Sequence, residues 1–307
     1  RRVAIRIDRL RLDMAVTRFI SGELDDSKRR DMIFRGEFVL FKGVPSMKLL
    51  CERADFLARE AFGAGIEPEL AHHHYAREDY LAIVDPLQRR FTNDDTAKRL
   101  FRNALAECGV DLEKTFWDWF PLRIQPGSGT HTEMATAGLH GHRDSWYSNL
   151  QAQNNWWAPI YTLEPCRAVA YHPRYFDRPI ANNSEGWDLG EFRKARAEVR
   201  ARHGTSEEVK NAYPAIRAME EVDGSSEIIF IMEPGDIICF SLAHFHESVQ
   251  NISDIARFST EVRTLNIDDV NSARGAPNVD AKSTGDAYED FFGISDNQSI
   301  LSLATSR

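Results

Sequence analysis

Cysteine is scarce and scattered in this chain: Cys51, Cys108, Cys166 and Cys239 are the only four, and no two form a CxxC pair. That spacing disfavours a structural zinc site and offers no disulfide framework, which fits a reducing compartment and predicts a cytoplasmic protein. Excess positive charge is absent too. Lys and Arg number 38 against 47 Asp and Glu, a formal charge of -9, so no nucleic-acid or anionic-membrane partner is expected and a small molecule is the better default. No apolar run approaches the roughly 20 residues of a membrane helix. The opening Arg1-Arg2 leads into alternating charge, not the apolar core of a signal peptide. Internal repeats and low-complexity tracts are also lacking.

What is present is apolar sequence in short runs, 42% hydrophobic with 10% aromatic residues, enough to bury a full core at 307 residues. Residues 3–12 (VAIRIDRLRL) alternate apolar and charged as a half-exposed strand does, and 36–43 (GEFVLFKG) reads as another. Pro45 and Ser46 then open a helix along which Leu49, Leu50, Phe56, Leu57 and Phe62 recur at helical spacing, until Gly63 and Gly65 stop it. A second helix is expected over about 93–108. From Phe116 the texture changes to short β-type runs, FWDWFPLRIQ, NWWAPIY, RAVAYHP, EIIFIM, DIICFSLAHF and ARFSTEVRTL, divided by Gly, Pro, Asn and Asp. Residues 190–202 (GEFRKARAEVRAR) interrupt them as a helical insertion, with Arg193, Lys194, Arg196, Arg200 and Arg202 on what is usually a solvated face. The end from about 271 reads as loop or loosely packed tail. A helical front followed by many short strands predicts an antiparallel barrel or sandwich with helices outside, in one domain.

Metal-type ligands fall on two of the β-type stretches. In LHGHRDSWYSN, His142 and Asp144 stand two apart. Side chains i and i+2 of an extended segment point the same way, so an imidazole nitrogen and a carboxylate oxygen can converge on one ion. EPGDIICFSLAHFHESVQNISDIARFSTEVR supplies His246 as a third ligand. Two histidines and one carboxylate on one face of an ion leave the other face open, the arrangement of non-haem iron(II) oxygenases. The first pair alone is weak: with 10 His and 47 acidic residues, an H-x-[DE] pair arises by chance about once or twice. His131-Thr132-Glu133 is a rival pair, set in a Gly/Thr/Ala loop, and His244 competes with His246 because it shares its face. His140 reads as a loop residue. The run His72-His73-His74 reads as solvated or locally packed, since three consecutive side chains cannot converge from a helix or strand.

The spacing around His246 is more specific. Gly235-Asp236 precedes it, with the Asp ten residues upstream; Asn251 follows by five and Arg257 by eleven. Together with His142 and Asp144, this pattern resembles the phytanoyl-CoA dioxygenase-like branch of the iron(II)/2-oxoglutarate-dependent oxygenases, over roughly residues 120–265. The resemblance implies a mainly β fold with flanking helices, a double-stranded β-helix (jelly-roll) barrel. It would make 1–307 a single oxygenase domain: 1–115 as strand and helical support, 116–270 as jelly-roll core with a helical insertion at about 188–218, and 271–307 as C-terminal tail. It implies that His142, Asp144 and His246 hold Fe(II) and do the chemistry, and that Arg257 anchors the distal carboxylate of 2-oxoglutarate. Dioxygen would be the other co-substrate, with succinate and CO2 released as a carbon of a small metabolite or natural-product intermediate is oxidised. The Asp236, Asn251 and Arg257 frame selects His246 over His244. An Arg fork suits the anchoring role, because it makes two parallel charge-assisted hydrogen bonds to a carboxylate; Ser259 faces the same side of the strand. Asp144 argues for hydroxylation, since halogenases that resemble this family carry Gly or Ala at that place. The family also hosts desaturation and ring formation.

Arg123 and Gln125 share one face of FPLRIQ and are expected to reach the substrate, with Trp146 and Tyr147 adding aromatic surface. Asn155 and Trp157 share a face just after the HRD segment and are expected beside the co-substrate. Six tryptophans are equally a normal complement for a core. The Gly-rich stretch 127–139 is a candidate lid or a passive loop. Two other functions stay open on these residues: a metal- or ligand-binding barrel without oxygen chemistry, which has no need of Arg257, and a zinc hydrolase on the same triad.

Overall fold

The computed structural model describes residues 4–5, 17–128, 140–202 and 213–304. In chain order the strands are β1 (Ala4–Ile5), β2 (Thr17–Ile20), β3 (Phe38–Phe41), β4 (Thr115–Trp117), β5 (Leu122–Gln125), β6 (Asn154–Pro159), β7 (Val169–Tyr171), β8 (Ile228–Phe230), β9 (Ile237–Ser241), β10 (His246–Ser248), β11 (Arg257–Asn266) and β12 (Phe292–Gly293). They form two sheets. The larger runs β12-β4-β11-β6-β9-β3-β2, with β5 also on β11, and the smaller runs β1-β8-β7-β10. Most pairs are antiparallel, but β1 with β8 and β2 with β3 are parallel, so both sheets are mixed. From β5 onward the chain passes between them: β5 large, His142 on the small sheet by a bridge to His246, β6 large, β7 and β8 small, β9 large, β10 small, β11 large. Among the described residues no hydrogen-bonded strand pair joins one sheet to the other. The barrel expectation is therefore corrected to two mixed sheets with flanking helices and no closed barrel.

Strand parity explains why several of these runs read as continuously apolar. Val39, Phe41, Trp156, Ala158, Ile237, Cys239, Phe258 and Val262 point to the helices, where they meet Met47, Leu50, Leu57 and Phe101. Their neighbours Phe38, Leu40, Trp157, Ile238 and Phe240 point the other way, onto Ala170, Tyr171, Ile229 and Phe230 of the small sheet. A central strand covered on both faces has no exposed side to make polar. Each fully buried Val, Leu, Ile or Phe contributes about 1.5–3 kcal/mol to holding the layers together.

The front of the chain supplies the covering helices α1 (Asp26–Phe34), α2 (Pro45–Phe62), α3 (Arg77–Asn93) and α4 (Asp95–Glu107). α2 starts with Pro45 and ends at Gly63, whose φ of 92° favours glycine. Leu49 and Phe56, expected on its buried face, are each 49% exposed; Met47, Leu50, Ala54, Leu57 and Phe62 form the packed stripe instead. α4 matches the expected second helix, while α1 and α3 add to it. α1 carries mostly charge before Met32-Ile33-Phe34 and is started by Asp25, whose carboxylate accepts from the Lys28 amide at 2.8 Å. α3 contains Pro86, which in a sequence marks a break.

Further along come the one-turn α5 (Ser145–Ser148), the expected insertion helix α6 (Leu189–Ala201) and α7 (Ile267–Ser272). The C-terminal stretch is not loose: β12 pairs with β4, and Ala276, Phe291, Ile294 and Ile300 are buried. Its polar residues hold it as well, as the site below shows. Of the strand expected at 3–12, residues 4–5 are described and are strand; His131, Glu133 and positions 129–139 of the candidate lid lie outside the described residues. No helix among the described residues is long and apolar enough to cross a membrane.

Candidate active site

His142 joins the edge of the small sheet by a two-way bridge: its amide donates to the His246 carbonyl at 3.0 Å, and the His246 amide donates to the His142 carbonyl at 3.0 Å. The two imidazoles are thereby set side by side, with ring centroids 4.5 Å apart. Asp144 is not in an extended segment, as the i, i+2 argument assumes. At φ -66° and ψ -25° it caps α5, so the chain turns immediately after His142 and swings the carboxylate back. Asp144 Oδ1 then lies 3.6 Å from His142 Nε2. Ligand atoms of His142, Asp144 and His246 all lie within 4.8 Å of one another. Gly141 makes the approach possible, because a Cβ there would stand 2.3 Å from the Phe245 ring.

The hydrogen bonds fix which atoms face the centre. Nδ1 of His142 lies 3.1 Å from the His140 carbonyl, and Nδ1 of His246 lies 3.0 Å from the His244 carbonyl. A carbonyl only accepts, so each Nδ1 carries a proton, and in the neutral ring it is Nε2 that keeps the lone pair, the usual support for a metal-binding imidazole. Burial and the neighbouring His142 hold His246 down to about 4, so it is a neutral donor at pH 7. Burial pushes His142 the same way, but Asp144 outweighs it and raises the ring above its ordinary value. For Asp144, burial favours the neutral acid, yet Arg263 and His142 together hold the carboxyl below the usual carboxylate range. Its Oδ2 accepts from Gln153 Nε2 at 3.1 Å and from Arg263 Nε at 3.3 Å, which leaves Oδ1 toward the imidazoles. With the His142 side chain 28% exposed, this is a two-nitrogen, one-oxygen face with an open side, suited to a divalent ion such as Fe(II).

Arg257, Ser259, Glu261 and Arg263 alternate along the inner face of β11, opposite the face that bears Phe258 and Val262. Arg257 is buried. Its Nη1 donates to the Ala168 carbonyl at 3.0 Å and its Nη2 to Ser248 Oγ at 3.1 Å. Among the described residues no carboxylate is in ion-pair contact with it, and Nε has no partner. Burial pulls the guanidinium down to about 10, still a cation at neutral pH. Buried Ser259 Oγ and the Tyr171 hydroxyl likewise have no partner among the described residues. Tyr171 links this pocket to the histidines: its ring stacks 6.1 Å from that of His246, its register partner across β7 and β10. A buried donor left unpaired costs about 1–3 kcal/mol. A cation with a free Nε and two hydroxyls in that condition, with no carboxylate in contact among the described residues, form a fitting site for the carboxylate of a ligand.

The other expected residues divide. Tyr147 stands edge-on to His142 at 5.9 Å and donates its hydroxyl proton to the Ile216 carbonyl at 2.7 Å. Asn155 lies opposite Arg263 in the register and accepts from Gln153 Nε2 at 2.7 Å, which ties it to Asp144 and not to the Arg257 pocket. Trp157 packs between the sheets. Arg123 pairs with Glu261 at 2.7 Å, and Gln125 is buried opposite Arg257. Trp146 is fully buried, packs on Phe245, and donates its indole N–H to Asp280 at 2.7 Å, away from the histidine pair. His244 packs among Phe38, Phe176 and Phe240 and does not join the triad. Asp236 and Asn251 prove to be turn builders. Asp236 accepts from the Gly43 and Glu233 amides at 3.0 and 2.9 Å, and Asn251 donates to the Ile255 carbonyl at 2.8 Å. His72 and His73 are packed locally, His73 against the Asp254 carbonyl at 2.8 Å. A second group of metal-type residues, His172, Glu227 and Glu247, also lies within 4.8 Å, but His172 Nε2 is already paired with Glu247 at 3.2 Å.

No family model and no curated protein matches the chain. Among solved structures it is similar to EvdO2 from Micromonospora carbonacea var. aurantiaca complexed with 2-oxoglutarate, at 13% identity and TM-score 0.44 over 80% of this chain and 92% of that one. It is similar to the epimerase SnoN in complex with Fe3+, alpha ketoglutarate and nogalamycin RO, at 12% identity and TM-score 0.41 over 78% and 83%. It is also similar to the non-heme monooxygenase ThoJ, at 14% identity and TM-score 0.40 over 72% and 69%. Identities this low assign no residue.

Proposed function

We propose that this chain is an iron(II)/2-oxoglutarate-dependent oxygenase that oxidises an unactivated carbon of a small metabolite or natural-product intermediate. In this reading Nε2 of His142, Oδ1 of Asp144 and Nε2 of His246 hold the iron, and Arg257, Ser259 and Tyr171 receive the distal carboxylate of 2-oxoglutarate. The observation that carries it is Arg257, a buried cation with no carboxylate in ion-pair contact among the described residues, which Tyr171 connects to the two-histidine, one-carboxylate cluster through its stacking on His246. Neither a zinc hydrolase nor a simple metal-binding barrel requires that cation. Iron, 2-oxoglutarate and dioxygen supply the oxidising power when bound, with succinate and CO2 as co-products. The chain orients and protects. Its two imidazoles and one carboxylate would hold the ion from one side, Arg257 would fix the angle of the co-substrate, and the rings of Tyr171 and Phe240, 6.1 and 5.4 Å from His246, would keep water from that side. The two sheets and their helices would then be a single oxygenase domain built on a double-stranded β-helix of the phytanoyl-CoA dioxygenase-like kind, at work where its four thiols stay reduced.

Anaerobic addition of Fe(II) and 2-oxoglutarate is expected to produce a visible charge-transfer band, absent in His246→Ala, and admission of oxygen to release succinate. A parent protein that shows neither band nor succinate removes the proposal. Hydroxylation is the reaction favoured by Asp144, whose carboxylate takes the place a halide would need. Asp144→Gly should lower oxygen-dependent succinate release by more than about 100-fold, beyond what loss of an outer partner of a metal site costs. Unchanged turnover would remove Asp144 from the ligand set.

A further inference from the structure

We infer that Arg263, gripped by Asp118, is a positioning residue that restricts Asp144 to one-oxygen binding of the metal; the inference rests on the metal-centre reading above. Arg263 lies on the inner face of β11, six residues beyond Arg257. Asp118 is locked to it on all sides. The Arg263 amide donates to Asp118 Oδ1 at 2.8 Å, Arg263 Nη1 donates to Asp118 Oδ2 at 2.9 Å, and the Asp118 amide donates to the Arg263 carbonyl at 3.1 Å. Held this way, the guanidinium turns its Nε to Asp144 Oδ2 at 3.3 Å. Gln153 Nε2 reaches the same oxygen at 3.1 Å and is itself steadied by Asn155 Oδ1 at 2.7 Å.

Two donors on Oδ2 and, among the described residues, none on Oδ1 make the carboxylate asymmetric. Oδ1 is free to bind an ion; Oδ2 can do so only by giving up a charge-assisted hydrogen bond and a neutral one. The consequence concerns room on the ion. An ion held by three protein atoms would have little room left once a chelating co-substrate bound, and a carboxylate that bound through both oxygens would take up more of it. Arg263 and Gln153 oppose that outcome. Glu261, between Arg123 at 2.7 Å and Arg263 at 3.9 Å, balances the second cation, so Arg263 is not drawn to Asp144 by charge alone. Its direction comes from Asp118. An ordinary half-exposed ion pair is worth about 0–1 kcal/mol and needs no second carboxylate to aim it.

The test is anaerobic titration of the whole chain with Co(II), following affinity and the visible ligand-field band, in the parent, Arg263→Met, Arg263→Lys, Asp118→Asn and, as a remote charge-removal control, Arg90→Met. Arg263→Met should bind Co(II) about 10- to 100-fold more weakly, with an altered band. Asp118→Asn should change both in the same direction by less, Arg263→Lys should recover part of the loss, and Arg90→Met should match the parent. A parental affinity and band in Arg263→Met overturn the inference, including the case where only its melting temperature falls, which would mark Arg263 as structural. A parent chain that binds no Co(II) overturns the metal-centre reading itself, so the two failures are distinct.

Discussion

Arg257→Ala is expected to raise the 2-oxoglutarate concentration for half-saturation by roughly 30- to 4,000-fold, the equivalent of the 2–5 kcal/mol lost when one partner of a buried charge pair is truncated. Anaerobic titration of the charge-transfer band measures this directly. Metal binding should survive, because His142, Asp144 and His246 make no hydrogen bond to Arg257. Arg257→Lys should fall between, restoring the charge without the planar fork. Stability should move the opposite way. In the free protein Arg257 is a buried cation whose partners are the Ala168 carbonyl and the Ser248 hydroxyl. Replacing it by Met, which fills the volume without a charge, should therefore leave the melting temperature equal or higher. Half-saturation unchanged in Arg257→Ala would place the co-substrate elsewhere. A marked drop in the melting temperature of Arg257→Met would show that the arginine serves the fold instead of a ligand.

How much of this could be read in the sequence depends on how local each signal is. Strands β3 to β9 and β11 were legible because they fall in apolar runs bounded by turn formers, and α2 because Pro45 and Gly63 punctuate it, whereas β2, β10 and β12 are too short or too polar to stand out. α1 and α3 escaped for the complementary reason: one has almost no apolar periodicity and the other has Pro86 inside. His142, Asp144, His246 and Arg257 were legible because their spacing along the chain fits one frame of metal ligands and an anchoring arginine, and the geometry brings the first three together. Extended-strand alternation does not apply to His142 and Asp144, since a bridge followed by a helical turn, not an extended segment, aims the carboxylate. Arg263, Asp118, Gln153 and Tyr171 sent no signal. Arg263 and Asp118 are common types, 145 residues apart, and Tyr171 reaches the site only through its register with His246. Register is a property of pairing, and a single chain read end to end does not display it.

Asp280 is the furthest from legible and carries the second large effect. It sits in a stretch rich in Asn, Ser and Gly that reads as loose tail, yet its side chain is 4% exposed and pairs with Arg143, itself 1% exposed. Arg143 is the residue between His142 and Asp144. Its Nε donates to Asp280 Oδ2 at 3.0 Å, and its other nitrogens donate to the carbonyls of Ala243, Tyr175, Phe176 and Arg178. Asp280 also accepts from the Trp146 indole at 2.7 Å and the Ile180 amide at 2.9 Å. Asp280→Ala would leave a buried cation without its counter-ion, a loss of about 3–5 kcal/mol. At roughly 0.6 kcal/mol per degree for a chain of this length, the melting temperature should fall by about 5–8 °C. Asp280→Asn should recover less than half, because three donors converge on two oxygens and the amide replaces one oxygen by a further donor. Since both flanking residues are proposed ligands, metal affinity should weaken along with stability. A melting temperature within about 1 °C of the parent in Asp280→Ala would mean that the backbone carbonyls alone hold Arg143, and that the C-terminal segment does not brace the metal motif.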